Sequence, residues 1–376
     1  MAPPHRLTDG TRAALGYASA QARLPLALAA AHDGRMLGGI ARSLAGEARV
    51  KDTLVGGVPA TVYRPGRGAG PWQCVVVLPG VTRQGRAHPG FRAMGRCLAA
   101  AGHLAVVAEP AGLSIGELTP ESVAQACAAV EGAASSPEAR GDRVALVGVS
   151  GGATLSLLVA ADPRVGQCVR RATALAPCCD LGEALRMVTT GGYRHRESLV
   201  PFATGDFFKL VIARSVVGWL SPGDDRSALR SHLLGLEDYG PNPLARLRAW
   251  SRRELGEDAR ALLDLVANEE PDRFDELVAA LPEALRANVG LLSPVSHADR
   301  VAAPVELVVP RADKYLPLAD GMAFAEACPT ARLTVLDSLS HVVPTLSPTD
   351  LRGLAQLDAV LVRLFAGARS PSYSGR

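Results

Sequence analysis

Two patterns of hydrophobic and polar residues alternate along the 376 residues of this chain. Short apolar runs such as residues 74–78 have the length and composition of strands that are buried on both faces. Stretches with helical spacing, for example 89–101 and 119–134, lie between such runs. Residues 49–55 and 60–64 instead change character at every second position, which is typical of antiparallel strands. The pattern predicts an α/β fold, with a mostly parallel sheet flanked by helices on both faces.

The alternation is interrupted once and then resumes. Strands are predicted again at 304–309 and 332–336, and a final helix is predicted over 348–366. The intervening region contains no convincing strand. Its helical patterns cover residues 181–188, 206–220, 225–236, 243–267 and 272–289.

An all-helical region of this size is expected to cover the edge of the sheet rather than to join it. We therefore predict that it is a cap inserted after the sixth strand. The predicted organisation is a helical segment over 1–47, an α/β core over 48–180 and 293–367, a helical cap over 181–292 and a disordered tail over 368–376.

Charge and hydropathy exclude several classes of protein. The net charge is +3 and no basic block is present, so a nucleic-acid partner is not expected. The apolar run over residues 199–220 contains charged residues, so stable membrane insertion is not expected either. Residues 24–31 resemble a short signal-peptide core, but the charged residues around them argue against secretion.

The seven cysteines are irregularly spaced and lie mostly in apolar surroundings. This usage is typical of reduced core residues, so we predict a cytoplasmic protein. We interpret the adjacent Cys178 and Cys179 as packing residues rather than as a redox pair.

The candidate nucleophile follows a predicted buried strand over residues 143–149. Ser150 lies in the sequence GVSGG, and residues 153–160 then have the pattern of a helix. Strand, G-x-S-x-G and helix in this order are typical of a nucleophile elbow. Gly148 and Gly152 meet the demand of that turn for very small residues. The helix would direct its N-terminus towards the serine.

A serine nucleophile needs a base, and the base needs an acid to orient it. In a parallel sheet both are expected on loops that follow later strands. Asp313 lies four residues after the strand predicted to end at residue 309, and His341 lies five residues after Leu336. The order serine, aspartate, histidine along the chain is the one described for α/β-hydrolases.

The elbow and these two loops together resemble the α/β-hydrolase superfamily, over roughly residues 49–180 and 293–366. The resemblance is greatest to its serine branch, near esterases, dienelactone-hydrolase-like proteins and acyl-peptidases. It implies that Ser150 is the nucleophile, Asp313 the acid and His341 the general base.

The resemblance also implies an oxyanion hole formed by the backbone N–H groups of Val81 and Gly151. Pro79 and Gly80 stand where such proteins usually carry His-Gly after the third strand, but the proposed donors are backbone groups. Dienelactone hydrolases usually carry cysteine as the nucleophile, so the serine of this chain argues against that substrate.

Other residues could take these roles. Asp180, just after the sixth strand, is an alternative acid, and Asp337 more often caps or turns the chain. Glu109 ends a strand near the site, where it could shape the site. Structural roles are favoured for two of the other histidines, and two more fall in the predicted cap and could contact substrate. These alternative bases are His88, His103, His195, His232 and His297.

We therefore predict a serine hydrolase that cleaves a carboxylic ester or a related acyl bond through an acyl-enzyme, without a metal or organic cofactor. Its partner would be a small acyl substrate that is apolar in part, because half of the aromatic residues lie in the predicted cap, although these could instead form the cap's own core. A peptidase, a thioesterase or a cofactor-free haloperoxidase could use the same residues, and a non-catalytic protein could retain the fold. The sequence indicates neither the substrate nor the oligomeric state.

Overall fold

A computed structural model describes residues 46–196, 198–337 and 339–344, together with residues 356, 359, 360 and 363. The predicted N-terminal segment, apart from its last two residues, and the predicted disordered tail lie outside the described residues. The predicted final helix also lies outside them, except for those four separate residues, which are helical.

The centre of the molecule is an eight-stranded sheet with the order β1-β2-β4-β3-β5-β6-β7-β8. Strand β2 is antiparallel to β1 and β4, and all other neighbours are parallel. This confirms the predicted mostly parallel sheet. The strands are β1 (Arg49–Val55), β2 (Val58–Arg64), β3 (Cys74–Leu78), β4 (Leu104–Ala108), β5 (Val144–Val149), β6 (Val169–Leu175), β7 (Val305–Pro310) and β8 (Ala331–Leu336).

Helices cover both faces of the sheet, and this explains the continuous apolar run of β3. Val75 and Val77 pack with the cluster that contains Phe91 and Leu98, on the face covered by α1 (Pro89–Ala100). Val76 points to the opposite face, towards the other helices of the core. Every residue of β3 is therefore buried, and each such valine contributes about 2 kcal/mol of transfer free energy. The helices of the opposite face are α2 (Pro120–Ala134), α3 (Gly151–Ala161) and α11 (Leu318–Ala327).

Residues 181–292, called the insertion below, lie between β6 and β7 and form most of a second apolar cluster, which also includes Leu158 of α3. Leu185, Leu210, Leu229 and Leu263 are completely buried in this cluster. The helices of the insertion are α4 (Leu181–Thr190), α5 (Asp206–Gly218), α6 (Asp224–Leu234), α7 (Ala245–Arg248), α8 (Glu257–Ala267), α9 (Phe274–Ala280) and α10 (Glu283–Leu291).

The prediction that the insertion contains no strand is wrong. Gly192–His195 and Ser198–Pro201 form an antiparallel hairpin after α4. Gly191 and Arg196 have positive φ angles of 76° and 56°, which produce the changes of direction that a helical pattern does not indicate. The strands are only four residues long and largely exposed, so they lack the alternation that would indicate them.

The two long helices predicted over 243–267 and 272–289 are each divided. The second breaks at Pro282, whose ring cannot continue the helical hydrogen bonding. In the first, the Arg252 side chain donates to the carbonyl oxygens of Arg248 and Trp250, and these bonds stabilise the end of α7. Strand β6 also begins two residues earlier than the predicted residue 171.

All seven cysteines are free thiols. Burial raises the pKa of Cys74 and Cys127 to about 12 and that of Cys97 to about 11. These side chains therefore stay protonated and unreactive near neutral pH. Among the described residues, no helix combines the length and the apolar character needed to cross a bilayer.

Candidate active site

Ser150 lies in a strained turn between β5 and α3. Its φ and ψ angles of 52° and −121° are rarely adopted by residues other than glycine. A Cβ on Gly148 would lie 2.3 Å from the Gly152 oxygen, and a Cβ on Gly152 would lie 2.1 Å from the Leu78 oxygen. Both glycines are therefore required by close packing of backbone atoms. The Ser150 N–H donates to Leu175 O of β6 at 2.8 Å, which attaches the turn to the sheet.

The candidate acid and base lie on loops at the same end of the sheet. Asp313 follows β7, and the N–H of Tyr315 donates to its Oδ1 at 2.8 Å. His341 follows β8, in the turn of a short hairpin that pairs Leu339 and Ser340 with residues 343 and 344. Its φ angle of 56° is also positive, so this loop is sharply bent where the imidazole is presented.

The structure brings Ser150, His341 and Asp313 into one chain of hydrogen bonds. His341 Nε2 lies 2.9 Å from Ser150 Oγ, and His341 Nδ1 lies 2.8 Å from Asp313 Oδ2. The side chains of His341 and Asp313 are 8% and 4% exposed. With Nδ1–H donating to the carboxylate, Nε2 is free to accept the serine proton. The arrangement has the geometry of a nucleophile, a base and an orienting acid.

The N–H groups of Val81 and Gly151 lie beside this serine. A Cβ on Gly80 would lie 3.2 Å from the Cβ of Ser150, so the loop after β3 approaches the serine closely. A Cβ on Gly151 would lie 3.9 Å from Val81 N, so the backbones of these two residues are close together. Neither N–H group finds a hydrogen-bond acceptor within the described part of the chain. They are available to bind an oxygen atom that carries negative charge.

Asp180 and Asp337 have other partners. The Asp180 carboxylate accepts from Glu183 N at 3.1 Å and caps α4. Asp337 forms an ion pair with Arg311. The carboxylate that contacts His341 is therefore that of Asp313.

The alternative histidines lie in varied surroundings. His88 lines the same pocket as Ser150, but its Nδ1 accepts from Gly90 N at 3.1 Å and caps α1. His195 belongs to the exposed hairpin of the insertion. His232 packs edge-on against Trp250, with ring centroids 4.9 Å apart, and burial lowers its pKa. His103 is buried just before β4, and His297 lies in a 3₁₀ helix, Pro294–Arg300.

Glu109 supports the loop that contains Val81. Its carboxylate accepts from the backbone N–H of Arg86 at 3.0 Å and pairs with the guanidinium of the same residue at 3.2 Å. A Cβ on Gly85 would lie 2.4 Å from this carboxylate, so the loop and the side chain are in direct contact. The shaping role considered from the sequence is consistent with these contacts.

Ser150 and His341 open onto a pocket of about 390 Å³ between the sheet and the insertion. Its volume falls within the range of small-molecule sites. Most of the lining is apolar, and it includes Cys178, whose thiol pKa is raised well above its ordinary value by burial. Five residues of α5 contribute to it, namely Phe207, Phe208, Val211, Ile212 and Ser215.

Tyr315 is a residue that the sequence reasoning missed. Its ring meets the imidazole of His341 nearly at right angles, with centroids 4.8 Å apart. The ring also packs against Phe207 and Phe208, with centroids 6.1 and 6.2 Å away. Its position in the sequence could have indicated this role. Tyr315 lies two residues after the candidate acid Asp313, so it is expected to lie near the base that this acid contacts.

No protein-family model and no curated protein matches the sequence. Solved structures are nevertheless similar. An esterase of Pyrobaculum calidifontis aligns over 97% of this chain and 95% of its own, with a TM-score of 0.50 and 15% identity. An acylaminoacyl peptidase of Pyrococcus horikoshii aligns over 91% of this chain and 45% of its own, with a TM-score of 0.51 and 12% identity. Together with the sheet order, these similarities show that the chain has the α/β-hydrolase fold.

Proposed function

We propose that this protein is a serine hydrolase that cleaves carboxylic esters through an acyl-enzyme. One observation carries the proposal: Ser150 Oγ, His341 and Asp313 form an unbroken hydrogen-bonded chain at the wall of a pocket. A protein that had kept only the fold would have no need for the strained turn that presents Ser150. These observations argue against a non-catalytic role.

In the acylation step, Ser150 Oγ attacks the carbonyl carbon of the ester while His341 Nε2 takes its proton. The carbonyl oxygen becomes an oxyanion, and the N–H groups of Val81 and Gly151 stabilise it. The N-terminus of α3 points to the same place and favours negative charge there. Collapse of the intermediate breaks the bond to the alcohol, which leaves with the proton from His341.

In the deacylation step, His341 removes a proton from the water molecule that attacks the acyl carbon. The tetrahedral intermediate then collapses, the carboxylic acid is released, and His341 returns the proton to Ser150 Oγ. Asp313 stabilises the imidazolium in both steps, because its Oδ2 faces Nδ1. Its Oδ1 is held by Tyr315 N–H, so the carboxylate cannot turn away from the base. None of these steps requires a metal or an organic cofactor.

The insertion serves as a cap in this proposal, with the bounds 181–292. Residues of α5 form one wall of the pocket, so a substrate must fit between this helix and the sheet. The lining is mainly apolar, which favours an acyl or alcohol group with apolar character. An ester is the first candidate because its carbonyl is less stabilised by resonance than that of an amide, and an alkoxide leaves more readily than an amide anion. The similarity to an acylaminoacyl peptidase makes an aminoacyl amide worth testing beside it.

The proposal is tested by labelling the purified protein with a fluorophosphonate and by assaying short p-nitrophenyl esters. Wild-type protein should be labelled and active, and Ser150→Ala should lose labelling and at least about 10³-fold in turnover. Ser156→Ala is the matched control, because Ser156 is buried in α3 and bonds only to Ala153 O among the described residues. Equal activity of wild type and Ser150→Ala would overturn the proposal.

A panel of an ester, a thioester and an aminoacyl amide with the same acyl group separates the related reactions. The ester should give the highest kcat/KM. A higher value for the amide or the thioester would reassign the protein to the peptidases or thioesterases while leaving the roles of the three residues intact.

A further inference from the structure

The lining of the pocket differs strongly between its buried and exposed parts. Leu118, Leu181, Ile212 and Leu292 line the pocket and are each no more than 8% exposed. Lys314 and His88 line it as well, but they are exposed to solvent. The pocket therefore has an inner part lined by buried apolar residues and an outer part lined by residues exposed to solvent.

The polar atoms of the inner part are already engaged within the protein. Thr154 Oγ1 donates to Cys178 O and accepts from Cys178 N. Ser215 Oγ donates to Val211 O and accepts from Leu118 N. These groups have no remaining proton to offer a ligand. The inner part consequently presents an apolar surface and suits an apolar group of the substrate.

The outer part carries a cation close to the reacting groups. The Lys314 ammonium lies 4.8 Å from the centroid of the Tyr315 ring, and that ring lies 4.8 Å from the imidazole of His341. The Lys314 carbonyl oxygen accepts from Gly205 N at 2.9 Å, which fixes the backbone from which the side chain extends. Burial raises the pKa of Tyr315, and the side-chain hydrogen bond from Lys314, together with the charge of its ammonium, opposes that rise.

This positive charge is not neutralised by the residues around it. Lys314 forms no ion pair with any residue in the described part of the chain. No aspartate or glutamate is present among the described residues that line the pocket. His88 adds a second donor to the lining, because its Nδ1 accepts a hydrogen bond and the proton of the neutral ring is then on Nε2. The outer part therefore offers donors and positive charge to a ligand, but no carboxylate.

We propose that the substrate is an amphiphilic ester, with an apolar group in the inner part of the pocket and a carboxylate that pairs with Lys314 in the outer part. The inference rests on the proposed serine-hydrolase function. The single positive charge of the ammonium group matches the single negative charge of a carboxylate. An exposed ion pair contributes little free energy, so it should change the preference between substrates and should not be required for hydrolysis.

The test uses two pairs of esters that differ only in charge. The first pair is 4-carboxyphenyl butyrate and its neutral isostere 4-carbamoylphenyl butyrate, with the charge in the leaving group. The second is the 4-nitrophenyl monoester of glutaric acid and the 4-nitrophenyl ester of its monoamide, with the charge in the acyl group. For each pair, kcat/KM of the anionic ester is divided by kcat/KM of the neutral ester. This ratio is measured in wild type and in variants at position 314.

In at least one pair, Lys314→Met should lower this ratio by about three- to fivefold, and Lys314→Arg should restore most of it. High salt should lower the wild-type ratio in the same pair, because the group is exposed and its charge is screened. Lys51→Met, on the distant strand β1, removes the same charge and should leave both ratios unchanged.

The inference is overturned if the neutral esters are hydrolysed while neither ratio changes by more than twofold in Lys314→Met. That result would leave the proposed function intact. Absence of turnover on all four esters, together with absence of fluorophosphonate labelling, would instead refute the proposed function and this inference with it.

Discussion

The central sheet and the insertion are held in place by different interactions. Strands β3, β4 and β5 are buried throughout and are joined by continuous backbone hydrogen bonds. The insertion has a smaller apolar cluster, which also takes in Leu158 of α3, and arginine–carboxylate pairs add to its contacts with the core. One pair joins Arg230 to the buried Glu117, and another joins Arg83, on the loop after β3, to Asp238.

This difference separates two tasks within one site. The residues proposed to carry out the chemistry, Ser150, Asp313 and His341, all lie on loops that leave the sheet. The wall that would select the substrate comes largely from α5 of the insertion. Changes to the sheet beside Ser150 should therefore alter stability and turnover together, whereas changes to the wall formed by α5 should mainly alter which substrate is accepted.

The largest effect is expected for Gly152→Ala. The new Cβ would lie 2.1 Å from Leu78 O and 2.3 Å from Pro79 O, and neither backbone oxygen can move without distorting β3. The free energy of unfolding should fall by about 3 kcal/mol or more, with loss of activity. Urea unfolding followed by circular dichroism measures this change.

Gly290→Ala is the matched control, because a Cβ there meets no atom within 4 Å and the residue lies in helix α10. It should be neutral or stabilise the protein by up to about 1 kcal/mol. If Gly152→Ala and Gly290→Ala were equally stable, the backbone around Gly152 would have room for a Cβ and the elbow would not be tightly packed.

Much of this sheet could be predicted from the sequence, because each apolar run indicates a buried strand independently of its partners. The elbow could be predicted for the same local reason, since its glycines adjoin the serine they accommodate. The ion pair between Arg83 and Asp238 could not be predicted, because the two residues are 155 positions apart and the sequence around each gives no indication of a partner. The hairpin of the insertion was also missed, since short exposed strands leave no pattern of burial in the sequence.

The next largest effect is expected at the junction between the central sheet and the insertion. Asp320 of α11 accepts hydrogen bonds from the N–H groups of Cys179 and Asp180, which connect β6 to the insertion. Burial raises its pKa from 3.8 to about 7. The folded protein therefore binds a proton at Asp320 more tightly than the unfolded chain does. The resulting stabilisation is complete below pH 3.8 and is lost as the pH rises to about 7.

Asp320→Asn removes this titration. The free energy of unfolding of wild type, minus that of the variant, should decrease as the pH rises from 5 to 8. Urea unfolding of both proteins across this range measures the difference. A difference that increases with pH would mean that the carboxylate is stabilised as an anion by the two N–H groups.

A smaller effect is expected at Asp238, which joins the insertion to the loop that contains Val81. Its carboxylate also pairs with Arg214, whose side chain is 3% exposed. Asp238→Ala should lower the free energy of unfolding by about 2 to 3 kcal/mol, because it leaves a buried guanidinium with only the carbonyl oxygens of Leu233 and Leu236 as acceptors.

Arg83→Ala removes the other partner, which is largely exposed, and should change stability much less. Comparison of the two variants by thermal and urea unfolding separates the buried pair from the exposed one. If Arg83→Ala were as destabilising as Asp238→Ala, the exposed contact would be the main attachment of the insertion.

The smallest effect is expected at Tyr315, where the two regions meet beside the base. The ring packs against both His341 and two phenylalanines of α5. Tyr315→Leu should lower kcat by about fivefold, because loss of an aromatic contact weakens the orientation of the imidazole by about 1 kcal/mol. Tyr315→Phe keeps the ring and should retain kcat within about twofold.

The distribution of the loss between kcat and KM decides what Tyr315 does. A fall in kcat with little change in KM, rescued by phenylalanine, identifies Tyr315 as a positioning residue for His341. A rise in KM alone would instead assign the ring to the substrate-binding wall together with Phe207 and Phe208. In that case one loop would serve both functions: Asp313 would take part in the chemistry, and Tyr315, two residues later, would help to select the substrate.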